Sequence, residues 1–171
     1  MTTPSAVTRQ EALDTLKKHG IEEAEIYLID VIPLIEMIWA DGMAQEGEIA
    51  ILDDFIPGHV QRINEMAAYP VLSIEKAHRF VKRFLQKRPD PDILRTLRNL
   101  VKPIRLSSSD RQTNREVSDS LLAICLDIAS SAVSSNHNEL KKRFNLDEKR
   151  CFFEILESME DPQLEAVPPV V

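Results

Sequence analysis

Asp41, Gly42 and Glu48 are the residues whose types and spacing could do chemistry: a carboxylate on an Asp-Gly turn, with a second carboxylate seven positions later. Carboxylate oxygens are hard ligands that suit hard divalent cations, and a glycine lets the backbone turn sharply enough to aim several of them at one point. The three residues have the spacing of the fifth, sixth and twelfth positions of an EF-hand loop. Its first and third positions would be Met37 and Trp39, neither of which can ligate a metal, so the loop is not an EF-hand. A cation site at this turn therefore needs another carboxylate, and Glu36, Glu46 and Asp53 are nearest in sequence. Glu46 and Asp53 share a helical face but stand about 10 Å apart along its axis, so they cannot both hold one ion. The competing reading is structural. Glu48 as the third residue of a helix interacts with the N-terminal dipole, and Asp41 suits the turn that follows a helix C-terminus.

The charge around this turn is one-sided. From His19 to Gln61 there are ten carboxylates (Glu22, Glu23, Glu25, Asp30, Glu36, Asp41, Glu46, Glu48, Asp53 and Asp54) and no Lys or Arg, a block that needs water or cations. Between Ile74 and Arg105 the balance reverses, with ten Lys or Arg against three acids, so this segment carries +7 in a chain of net charge −7. Arg79 and Arg83 fall at helical spacing with Lys76 and Lys87, and Arg95 and Arg98 with Lys102 and Arg105, so a basic helical hairpin is expected beside an acidic one. Without interleaved exposed aromatics it does not suit nucleic acid, because Phe80 and Phe84 belong to the apolar face. An acidic partner or an anionic membrane surface suits it better, through attraction that salt would weaken. The plainer alternative is a solvated face partly neutralised by the acidic hairpin of the same or a neighbouring molecule.

No other chemistry is spelled out. The four histidines, at 19, 59, 78 and 137, show neither His-x-x-x-His nor Glu-x-x-His spacing, and no Gly-rich phosphate loop or Gly-x-Ser-x-Gly turn occurs. Cys125 and Cys151 are isolated thiols in apolar helical patterns, expected to be reduced core residues of a cytoplasmic protein. No N-terminal signal region is expected, and the longest apolar run, broken by Asp30 and Glu36, is too short to span a bilayer. A non-enzymatic protein is the expectation.

The elements that must position these side chains are helices. Only four glycines occur among 171 residues, and Leu, Ile, Ala, Glu, Lys and Arg dominate without strand-like alternation. The expected fold is all-α, one compact bundle of about seven to eight helices over residues 1–161, with a frayed Pro-rich tail from Pro162. Thr8 with Glu11 completes a capping box for a first helix that closes at Gly20. The second, Glu23 to Ala40, is nonpolar from Ile26 onward except at Asp30 and Glu36, so it should be central, with a kink where Pro33 frees the carbonyl of Ile29. Gly42 ends it. A third helix starts near Gln45, with a bend or restart at Pro57-Gly58, and completes a hairpin with the second. Ser73 caps a fourth helix, and Asp90-Pro91 opens a fifth that carries Ile93 through Ile104. Ser107 to Asp110 reads as a linker before a long helix from Arg111 to Val133. Helices from Asn138 to Phe144 and from Asp147 to Met159, the latter capped by Asp147, complete the bundle.

The run Ile29-Asp-Val-Ile-Pro-Leu-Ile-Glu-Met-Ile-Trp-Ala-Asp-Gly-Met-Ala-Gln-Glu-Gly-Glu-Ile-Ala-Ile-Leu52 resembles the tellurite-resistance TerB family, in which Pro-Leu-Ile-Glu-x-x-Trp-Ala-Asp-Gly is followed by a Glu that starts the next helix. The resemblance implies an all-helical fold of two related hairpins, similarity to the N-terminal region of a membrane-bound J-domain co-chaperone, and clustered acids that bind metal ions. It makes a divalent cation the expected cofactor, with Asp41, Glu48, Glu46 and Glu36 as the candidate ligands. The expected partner is a protein, membrane-associated or acidic, and a homo-oligomer stays open. A second copy of the hairpin is matched by Leu126 to Leu140, where Glu139 opens a helix. Counting back seven places Ala132 and Val133 where Asp and Gly would stand. The second motif thus departs from the pattern, with Asp127, His137 and Glu139 as local substitutes, His137 reading better as a solvated cap.

Overall fold

The computed structural model describes residues 7–106, 110–131 and 146–159, and every regular element within them is a helix. Helix α1 (Arg9–Lys18) opens on the capping box read from the sequence: Glu11 N–H donates to Thr8 Oγ1 at 3.2 Å, and Thr8 N–H donates to Glu11 Oε2 at 2.9 Å. It closes at Gly20, whose φ of +76° lets Ile21 N–H reach back to the carbonyl of Leu16 and Gly20 N–H to that of Lys17, each at 3.0 Å.

The stretch expected as one kinked helix is two elements. Glu23–Val31 is a 3-10 helix, and α2 (Ile32–Trp39) begins beside Pro33. The correction has a simple cause. Pro33 cannot donate to the carbonyl of Ile29, which instead accepts from Ile32 N–H three residues on, the 3-10 pairing. Proline then occupies the first turn of the new helix, where its missing N–H costs nothing. α2 is central as expected: Ile32, Leu34, Ile35, Met37 and Ile38 are buried, and the helix touches α3, α4, α5, α7 and α8.

Helix α3 (Glu46–Ala67) runs unbroken through Pro57, so neither the bend nor the restart divides it. It ends at Ala68, which adopts the left-handed conformation with φ +64°. The loop that follows is pinned by one side chain: Asn64 Nδ2 donates to the carbonyl of Leu72 and its Oδ1 accepts Leu72 N–H. Ser73 caps α4 (Ile74–Leu85) and Asp90 caps α5 (Pro91–Arg98), both as read from the sequence. The expected fifth helix breaks at Asn99–Leu100 and resumes as α6 (Val101–Arg105), because Pro103 has no N–H for the carbonyl of Asn99.

α7 (Arg111–Ser131) and α8 (Leu146–Met159) close the core, burying Leu121, Cys125, Ile128, Ala129, Ile155 and Met159. Asp147 lies inside the first turn of α8 and is not its cap. Ser107 to Ser109 of the linker, the helix expected over Asn138–Phe144, the tail from Pro162, and Ala132, Val133, His137 and Glu139 lie outside the described residues.

Candidate functional site

The end of α2 delivers the Asp-Gly turn. Gly42 N–H donates to the carbonyl of Trp39 at 2.8 Å with φ +88°, and Asp41 Oδ1 accepts Met43 N–H at 3.1 Å. Three residues later the chain enters α3 through a second capping box, in which Glu48 Oε1 accepts Gln45 N–H at 3.1 Å. Each carboxylate therefore spends one oxygen on the local backbone, the structural role weighed from sequence.

Glu48 is only 1% exposed, and its burial, with the nearby Asp41 and Glu148 carboxylates and against the Gln45 N–H, pushes its pKa up to about 8. Burial and the charges of Asp41 and Asp147 push Glu148 up to about 7. Glu148, in the first turn of α8, was absent from the sequence candidates, and no local signal marks it: it lies a hundred residues from Glu48 and meets it only through the packing of α8. Of the candidates, Asp41 and Glu48 are brought together, whereas Glu46 is exposed at the first position of α3. Among the described residues, no group of three or more His, Cys, Asp or Glu side chains is arranged to hold a metal ion.

Glu36 serves a different neighbourhood. Its Oε1 accepts from Arg98 Nε at 2.9 Å, while Arg98 Nη1 and Nη2 donate to the carbonyl and Oε2 of Glu154 at 3.0 and 3.1 Å. Burial outweighs the Arg98 charge and raises the Glu36 pKa to about 7. A second buried network, also unmarked in the sequence, centres on Asp30. Its Oδ1 lies 2.8 Å from His59 Nε2 and its Oδ2 accepts from Arg105 Nε at 2.9 Å, with the His59 ring stacked on Phe55.

Three arginines of the basic segment thus pair with carboxylates of the acidic one within the molecule, since Arg83 also pairs with Glu25. Of the four candidate docking residues, Arg79, Arg83 and Arg95 are exposed, whereas the Arg98 side chain is 5% exposed and committed to Glu36 and Glu154. Asp127 is exposed on α7. Both cysteines are free; burial raises the Cys125 thiol and takes Cys151 up to about 12, so neither is poised as a nucleophile. None of the helices among the described residues is long and apolar enough to cross a membrane.

No protein-family model, curated protein or solved structure matches this chain.

Proposed function

We propose that this chain is a non-catalytic, TerB-like helical protein of the tellurite or metal stress response that takes a divalent cation on the carboxylates of Asp41, Glu48 and Glu148. The observation that carries the reading is the approach of three carboxyl groups from three elements beside a buried surface, where burial, and after it their mutual repulsion, pushes Glu48 up to about 8. The donor chemistry fits a hard cation, which would relieve that repulsion; the three carboxylates must draw closer to coordinate it. The Ile29–Leu52 resemblance points the same way.

Isothermal titration with Ca²⁺, Mn²⁺ and Zn²⁺ tests it. Binding by the native chain that is lost in Asp41→Asn/Glu48→Gln and weakened in Glu148→Gln is the expected result. No heat from the native chain, or equal binding by the double variant, sinks the reading.

A second reading is a metal-free adaptor that docks on an acidic or membrane-associated partner. Its support is the outer face of α4, where Lys76, Arg79 and Lys82 are exposed, with Lys87 exposed just beyond the helix end, and Arg79 has no ion pair among the described residues. Reversing Arg79, Arg83 and Arg95 to Glu should abolish a salt-sensitive interaction without unfolding the chain; an unchanged pull-down counts against docking.

A further inference from the structure

A cavity of about 130 Å³ lies where the end of α2, the loop into α5, α5 itself and α8 meet. It is smaller than the pockets that hold nucleotides or drug-sized cofactors but has room for several waters or a group of that size. Trp39 lines it together with Glu36, Glu154, Cys151, Arg88 and Arg95.

The charges of this cavity are complementary to a ligand with two charges of its own. On the α2–α8 side one guanidinium, Arg98, serves two carboxylates, taking Oε1 of Glu36 and Oε2 of Glu154. Oε2 of Glu36 and Oε1 of Glu154 have no hydrogen-bond donor among the described residues, and with both carboxyls ionised that side carries one negative charge in excess. On the α5 side Arg95 is paired with Asp92, but Arg88 has no ion pair among the described residues, which leaves one positive charge in excess. Its guanidinium lies beside the Asp-Gly turn, with Nη1 3.4 Å from where a Cβ on Gly42 would stand. A simple anion would face the carboxylates and a simple cation the guanidiniums.

We propose that this cavity binds a small zwitterion of α-amino-acid size, its ammonium on Glu36 and Glu154 and its carboxylate on Arg88 and Arg95. The pairing is charge-assisted at both ends, and arginine can grip a carboxylate through two parallel N–H groups. This site is separate from the Asp41–Glu48–Glu148 carboxylates, and either proposal can fail without the other.

Trp39 is the one tryptophan of the chain, so its fluorescence reports the cavity directly. Titration with L-alanine should give a saturable change with a Kd at or below about 1 mM, and propionate and ethylamine, each lacking one charge, should bind at least about 10-fold more weakly. Arg88→Met alters an exposed side chain and should weaken L-alanine by at least about 10-fold while the circular dichroism stays native. The proposal is overturned by a flat titration to about 10 mM, by propionate or ethylamine matching L-alanine, or by folded Arg88→Met binding as tightly as the native chain.

Discussion

Arg105 and Asp30 are 75 residues apart in the chain, yet Arg105 Nε donates to Oδ2 of a completely buried Asp30 at 2.9 Å. This bond, with His59 on the other oxygen, ties the acidic N-terminal block to the basic segment through the interior. It makes Asp30 the carboxylate whose removal should cost most.

Asp30→Asn leaves the Arg105 guanidinium, 11% exposed, facing a neutral partner. Breaking one side of a buried pair typically costs about 3–5 kcal/mol, a large share of the stability of an ordinary domain. Urea denaturation should show that loss. A change under about 1 kcal/mol would mean that water already relieves this network.

The pH dependence should have two limbs of opposite origin. Burial pushes the Asp30 carboxyl up, but His59 and Arg105 together hold it below its ordinary value of 3.8. Its stabilisation is therefore complete above that value and lost as pH falls through the depressed pKa. Glu48 works in the other sense: between 4.5 and about 8 the folded protein keeps a proton that the unfolded chain has released, so stability declines as pH rises through that window. Glu36 and Glu148 add to the decline up to about 7. Thermal unfolding followed across this range should give an optimum at about pH 4, and Glu48→Gln should flatten the alkaline limb. An unchanged alkaline slope in that variant would contradict the assignment.

Three of the four described positions with positive φ, Gly20, Gly42 and Ala68, should respond according to whether the residue has a Cβ. Gly20→Ala meets open space and should cost about 1–2 kcal/mol from backbone strain alone. Gly42→Ala should cost at least as much, because its Cβ also meets Arg88 at 3.4 Å. Ala68, left-handed at φ +64°, already bears the strain, so Ala68→Gly should stabilise by up to about 1 kcal/mol. Denaturant midpoints rank the three; a destabilised Ala68→Gly would show that the unfolded-chain entropy of glycine outweighs the strain.

Trp39 Nε1 donates to the carbonyl of Phe84 at 2.9 Å, satisfying a backbone acceptor in the last turn of α4. Trp39→Phe leaves that carbonyl without its donor and should lower stability by about 1–3 kcal/mol. Amide hydrogen exchange should quicken first at the C-terminal turn of α4. A uniform change across the molecule would place the loss in packing.

Local chemistry along the chain determined the helical class, the α1 capping box of Thr8 and Glu11, the caps Ser73 and Asp90, the Gly20 stop, and the central place of the apolar stretch before Asp41. Each rests on residues within one or two helical turns of each other, so spacing is enough to read them. The 3-10 run before Pro33 and the break before Pro103 were less legible, because a proline says which hydrogen bond is lost but not how neighbouring carbonyls find another donor. Only the tertiary structure decided which charges meet. That Arg98 turns inward to Glu36 and Glu154, that Arg105 reaches Asp30, and that Glu148 approaches Glu48 all depend on the rotation and crossing of helices remote in sequence. A helical charge pattern limits the face a side chain occupies; the packing of the apolar faces then fixes which opposite charge, or which like charge, stands across from it.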